Sequence, residues 1–173
     1  ALEKALQDRN VELLSAHERT NQDLKTAAKM QEELLPLSST NYLDVTIDWL
    51  FCPSAMVSGD IFNFFRLDET HVGFYSIDVA GHGVTAAMMS FTLFRLLTTE
   101  MQRGSPLKRP IEAAPYYQIV APETVMAVLN SQFQTKTESW LYFTMIYGVV
   151  DTAAQTIKLS QAGHPNPVYI TQD

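Results

Sequence analysis

The chain has 173 residues, 46% of them hydrophobic, which suits one domain with a core plus an extension. Its net charge of -7 and pI near 5.0 argue against nucleic acid as the main partner, because phosphate backbones demand a basic face. No apolar run is long enough to span a bilayer, and the N-terminus is too charged for a signal peptide, so a cytoplasmic protein is expected. The single cysteine, Cys52, excludes an intramolecular disulfide and is expected to be a small buried thiol.

The chain opens on Ala1 rather than Met, which predicts a piece excised from a longer protein. Residues 1–36 read as one long linker helix. Leu6, Leu13, Thr20, Ala27 and Leu34 recur at heptad spacing, and Leu2, Arg9, Ala16, Asp23 and Met30 fill the second heptad position. Arg9, Thr20 and Asp23 weaken that seam, so a coiled coil is marginal by itself. Pro36 ends the helix. Two readings stand: a solvated amphipathic helix docked on its own domain, or a dimerising helix that joins an upstream module to residues 37–173. The heptads and the missing start favour the second.

Pro36 to Asn41 reads as a linker. Val45 to Phe51 alternates as a half-buried strand, followed by strands over Ile61–Leu67 and His71–Ile77 with Asp68-Glu69-Thr70 as the turn between them. Val84 to Met101 is apolar all round, which predicts a helix buried on more than one side. Residues 102–122 hold Gly104, Pro106, Pro110 and Pro115 and read as a long loop. Pro122 opens a second helix reaching about Gln134. Trp140–Val150, Gln155–Gln161 and Pro167–Thr171 read as three more strands. Strands, two helices, then strands again is an α+β pattern built on antiparallel hairpins, not a βαβ alternation.

The chemistry concentrates in Val57-Ser58-Gly59-Asp60 and Ile77-Asp78-Val79-Ala80-Gly81-His82-Gly83. Each sets an Asp beside glycine where a strand meets a turn, and the hairpin between them brings Asp60 and Asp78 together. Two adjacent carboxylates suit hard divalent cations, which take oxygen ligands and retain water. Taken singly, each Asp is equally a turn or capping residue. Gly81 and Gly83 permit positive φ ahead of a helix whose N-terminus suits an anion. His82 between them is either a proton donor or a silent turn residue. There is no Gly-x-Ser-x-Gly elbow, no Cys-His zinc array and no phosphate loop ending in Lys-Ser or Lys-Thr.

Ser58-Gly59-Asp60, Asp78-Val79-Ala80-Gly81-His82-Gly83 and Gln161-Ala162-Gly163-His164-Pro165-Asn166-Pro167, with Ala28-Lys29-Met30-Gln31-Glu32-Glu33-Leu34-Leu35-Pro36 ahead of them, resemble in order and spacing the SpoIIE/RsbU-type branch of the PPM serine/threonine phosphatases. The resemblance covers about Leu24 to Ile170. It implies a β-sandwich flanked by helices, with paired Mn²⁺ or Mg²⁺ ions held by Asp60, Asp78 and the Val79 carbonyl. It further implies phosphoserine/phosphothreonine hydrolysis by metal-activated water, in which Asp60 and Asp78 are the catalytic residues.

The implied partners are a phosphoprotein of the anti-sigma-factor-antagonist kind, an upstream sensor or receiver of a two-component system, and a second copy joined through the N-terminal helix. Asn63 stands where the family usually carries a second acid, and is expected to orient a water at the metals. Ser58 replaces a common Gly. His164 is expected to fix a turn through the backbone. The family's remaining metal-binding acids lie beyond Asp173, so this stretch is read as about two-thirds of the domain. The alternative reading is a catalytically degenerate fold serving as a signalling adaptor or dimerisation module.

Overall fold

The computed structural model describes residues 2–36, 40–53, 55–101, 104–134 and 141–171. Three helices and eight strands run in the order α1 (Leu2–Glu32), β1 (Thr40–Tyr42), β2 (Val45–Ile47), β3 (Ile61–Arg66), β4 (His71–Val79), α2 (Val84–Leu96), β5 (Lys108–Pro110), β6 (Tyr117–Ile119), α3 (Pro122–Gln132), β7 (Phe143–Asp151) and β8 (Thr156–Ala162). The α+β class expected from the sequence is the class observed. No helix of the described residues is long and apolar enough to cross a membrane.

The main sheet is antiparallel throughout, in the order β3-β4-β7-β8. Alternation divides its side chains between two faces. Ile61, Tyr75, Ile77, Val79, Met145, Tyr147 and Val149 point to one face, where Ala86 and Leu93 of α2 and Val125 and Leu129 of α3 close a single core. Leu93, Leu107, Val125, Met145 and Tyr147 are fully buried. The Leu, Val and Met side chains among them each contribute about 1.5–3 kcal/mol relative to exposure. Burial also pushes the phenols of Tyr75 and Tyr147 far above their ordinary value.

The other face is aromatic at its β3 end. Phe62 and Phe64 stack at 6.3 Å, Trp49 and Phe51 pack on Phe62, and Tyr42 of the β1-β2 hairpin meets Phe64 edge-on. At the β8 end the same face leaves Ile157 and Leu159 exposed.

Several elements differ from their sequence expectations. The strand read over Val45–Phe51 stops at Ile47, and β1 precedes it inside the supposed linker. The β1-β2 turn places Leu43 and Asp44 at φ 48 and 65, a two-residue mirror-image turn without its usual Asn-Gly signature. The α2 helix ends at Leu96 rather than Met101. The segment read as a long loop contains the β5-β6 hairpin, whose Lys108 ammonium sits 4.4 Å over the Tyr117 ring. Val168, Tyr169 and Ile170, read as strand, form none and lie exposed. Trp140 and residues 37–39 and 102–103 fall outside the described residues.

The β3-β4 turn is held by Asp68. Its carboxylate accepts hydrogen bonds from Thr70 N at 2.9 Å and His71 N at 2.8 Å, and lies 2.8 Å from the His71 Nδ1. Burial pushes this carboxyl up, but the Thr70 amide and His71 outweigh it and hold the group below its ordinary value. A depressed folded-state value gives stability that is present above the unfolded carboxylate range and is lost as pH falls through the lowered value. Asp68→Ala is therefore expected to cost about 1–3 kcal/mol at neutral pH, and progressively less below pH ~4. Urea unfolding at pH 7 with equal midpoints for the two proteins would remove this role.

Candidate functional site

Asp60 directly precedes β3, and Asp78 is the penultimate residue of β4. The β3-β4 register pairs Ile61 with Ile77, so one further step sets Asp60 opposite Asp78. Both belong to the aromatic face by alternation, away from the helices. Asp78 in turn pairs with Thr144 of β7. Thr144 Oγ1 lies 3.0 Å from the His164 Nδ1. A row of polar groups from Asp60 through Asp78 and Thr144 to His164 thus crosses neighbouring strands at one end of the sheet.

Asp60, Asp78 and His164 line a cleft of about 330 Å³, with Phe51, Cys52 and Phe62 on its wall. Cys52 is exposed. It belongs to the strandless stretch after β2, which runs over the sheet margin, and this corrects the expectation of a buried thiol.

The two carboxyls face each other across the β3-β4 pair. Burial first, and then the Asp78 carboxylate, raise the Asp60 carboxyl above its ordinary value, while His164 works in the opposite direction. Two like charges confined this way resist joint ionisation unless a cation neutralises them.

The Val79 carbonyl borders the same turn. A Cβ built on Gly59 would stand 2.9 Å from the Val79 carbonyl oxygen and 3.1 Å from the Ala86 Cβ. Only glycine lets residues 58–60 lie so close to the end of β4 and the start of α2. Two carboxylates and a backbone carbonyl are oxygen donors suited to a hard divalent cation that keeps part of its water shell. Among the described residues, no group of three or more His, Cys, Asp and Glu side chains is spaced to hold a metal.

Asn63 is not part of this arrangement. It lies an odd number of residues from Asp60, on the helix-covered face, paired with Tyr75. Its Oδ1 accepts from the Phe64 amide. The expected role in orienting water at Asp60 and Asp78 is therefore corrected by the strand alternation. His82 is exposed between Gly81 (φ 94) and Gly83 (φ 79), the positive-φ positions expected there. His82 is not among the residues lining the cleft.

His164 departs from expectation in the other direction. Its ring bonds a side chain, Thr144, and faces the acidic cleft, while its own carbonyl accepts from the Gln161 side chain. The sequence signal that could have found it is its position one residue past a positive-φ glycine (Gly163, φ 65). That glycine closes a bridge to Met145, the neighbour of Thr144.

The family model for Stage II sporulation protein E (SpoIIE) matches residues 68–173. The chain is 32% identical over 147 residues to the phosphoserine phosphatase RsbP of Bacillus subtilis, covering 84% of this chain and 33% of that protein. It is 25% identical over 164 residues to protein IcfG of Synechocystis sp., covering 86% of this chain and 25% of that protein. It thus spans a third or less of the length of these curated relatives. Among solved structures, the SiaA-PP2C domain of Pseudomonas aeruginosa shares the fold, with a TM-score of 0.58 at 15% identity over 85% of this chain and 55% of that one. On the family match, the chain belongs to the SpoIIE family, and it shares its fold with a PP2C domain.

Proposed function

We propose that the chain forms the N-terminal part of a metal-dependent phosphoserine/phosphothreonine protein phosphatase acting in cytoplasmic signalling. The observation that carries this reading is the cross-strand pair Asp60 and Asp78 lining one cleft, with burial and the facing Asp78 carboxylate raising the Asp60 carboxyl. Asp60, Asp78 and the Val79 oxygen would hold Mn²⁺ or Mg²⁺. Such ions, when bound, supply Lewis acidity and an activated water for phosphate ester hydrolysis.

The chain's own residues orient and shield. Thr144 aims the His164 ring at the cleft, and Phe51 and Phe62 wall it from one side. His164 offers a hydrogen-bonding group to a phosphoryl oxygen, and is a better placed candidate for that role than His82. The relative's name as a phosphoserine phosphatase supports the substrate class. A phosphoprotein of the anti-sigma-factor-antagonist kind is the proposed substrate.

Residues 1–36 are the proposed regulatory linker and residues 37–173 the phosphatase portion. Helix α1 buries none of its residues and exposes Leu2, Leu6, Leu13 and Leu14. A lone helix of this kind gains little from propensity, and pairing with a second copy would cover those side chains. An upstream sensor or receiver would act through that pair. A signalling adaptor without turnover is the second reading. It is favoured by Asn63, a neutral amide where the family usually carries a second acid.

Hydrolysis of a phosphoserine peptide by the full-length protein separates the two. Turnover is expected with Mn²⁺ and is expected to stop on chelation. A folded protein that shows no turnover at any Mn²⁺ or Mg²⁺ concentration would leave the adaptor reading standing.

A further inference from the structure

We propose that Thr144 is a positioning residue that fixes the tautomer of His164, so that the ring presents Nε2–H to the cleft as the donor for a phosphoryl oxygen. The inference rests on the phosphatase reading and adds which ring nitrogen meets the phosphoryl group and what holds it there.

The loop places His164 before its ring is placed. The side-chain amide of Gln161, in β8, donates to the His164 carbonyl and to Asn166 Oδ1, the latter at 3.0 Å. Gly163 bridges to Met145 of β7. A Cβ built on Gly163 would lie 3.3 Å from Thr144 Cγ2, so the glycine lets the loop lie flush against Thr144. The residue before His164 is thus fastened to β7, and its own backbone to β8.

The ring follows. Its Nδ1 lies 3.0 Å from Thr144 Oγ1, which leaves Nε2 for the cleft that Asp60, Asp78 and His164 line. A neutral imidazole carries one N–H, and the partner of one nitrogen decides which of the two bears it. With the proton on Nδ1, the ring would donate to Thr144 and turn a bare lone pair toward two carboxylates. With the proton on Nε2, Thr144 donates to Nδ1 and an N–H points toward them. Charge favours the second arrangement, since a carboxylate attracts an N–H and repels a lone pair. In keeping with that sign, His164 favours the ionised form of Asp60.

Threonine suits the task. Its hydroxyl can donate and rotates to do so. Thr144 also pairs with Asp78 of β4, so the strand step that places the carboxylate places the ring beside it. An Nε2–H held here meets an anionic phosphoryl oxygen in a charge-assisted hydrogen bond. The ring serves the phosphoryl group and not a cation, because a nitrogen that bears the proton has no lone pair to give a metal.

The test uses the full-length protein at one fixed pH and saturating Mn²⁺, with inorganic phosphate as the probe. Its inhibition constant against a phosphoserine peptide is measured with kcat and KM, and Mn²⁺ binding is followed separately by electron paramagnetic resonance of the free ion. His164→Ala is expected to raise the phosphate inhibition constant about 10-fold or more, the size of a lost hydrogen bond to a charged group. Thr144→Val keeps the side-chain shape and is expected to raise it about 3–10-fold. Thr144→Ser keeps the hydroxyl and is expected to recover most of that loss. In the His164→Ala background, Thr144→Val is expected to add nothing, because it acts through the ring. Mn²⁺ affinity is expected to stay within about twofold, well short of the about 10–100-fold loss that follows removal of a group supporting a metal ligand.

An unchanged inhibition constant in folded His164→Ala overturns the proposal, and so does an equal loss from Thr144→Val in both backgrounds. A fall of ~10-fold or more in the Mn²⁺ affinity of His164→Ala would place the ring on the metal and overturn it as well. Should Thr144→Val fail to fold, Thr144→Ala takes its place in the same cycle. An unmodified protein with no Mn²⁺-dependent turnover would overturn the phosphatase reading itself, an outcome distinct from equal phosphate inhibition of unmodified protein and variant.

Discussion

Asp78→Asn in the full-length protein is expected to reduce Mn²⁺-dependent phosphopeptide turnover by ~10³-fold or more, since a metal's stabilisation of the transition state is worth several kcal/mol and each 1.36 kcal/mol is tenfold. The fold should survive. Asp78 is exposed near the end of β4, its backbone pairs with Thr144, and Asn fills nearly the same volume. Without metal the variant should be at least as stable as the unmodified protein at neutral pH.

The sign follows from Asp60. Burial and the facing Asp78 carboxylate raise its folded-state value. A raised value means stability that is fully present below the ordinary carboxylate range, near pH ~3.9, and lost as pH rises through the raised value. Removing the facing charge should flatten that loss. Thermal melts in chelator across pH 4–7 check this, and near-normal turnover by the variant would remove Asp78 from the metal set.

Gly59→Ala is expected to damage the site and the fold together. The new Cβ would meet the Val79 carbonyl oxygen at 2.9 Å and the Ala86 Cβ at 3.1 Å. Neither is the far end of a flexible side chain, so relief requires residues 58–60 to lift away from β4 and α2. Overpacking of this kind costs about 1–3 kcal/mol. The displacement acts on Asp60 directly and should weaken Mn²⁺ binding by about 10–100-fold.

Gly148 provides the contrast. A Cβ there meets the ring of Phe74, a side chain that can swing on an exchangeable rotamer, so Gly148→Ala should leave Mn²⁺ affinity unchanged. Urea unfolding combined with Mn²⁺ titration distinguishes the two. Unmodified stability and affinity in Gly59→Ala would show that the close approach is not needed.

Much of the chain was legible because its signals are local. The Asp68-Glu69-Thr70 turn, the flanking strands, Pro122 at the start of α3 and the long first helix rest on side chains that act on their own backbone neighbours. The failures fall where contacts at long sequence distance decide. The exposed stretch Val168–Ile170 has strand-forming side chains but no strand beside it among the described residues, and β-propensity without a partner forms no ladder. The β1-β2 hairpin turns on Leu43 and Asp44, which carry no turn signature, and its Tyr42 is placed by packing on Phe64.

The candidate site divides along the same line. The sequence by itself determined which residue types could do the chemistry, because a carboxylate beside glycine at a strand end is a local pattern, and hairpin connectivity brings Asp60 and Asp78 together. Only the tertiary structure decided which groups share that face. Strand alternation turned Asn63 to the opposite face of the sheet, β7-β8 pairing carried His164 up to Thr144, and the packing of α1 set Gln31 against Ser58. Each depends on a register or a helix contact between residues far apart in the chain, and a one-residue change in register would have reversed the face on which every side chain of a strand lies.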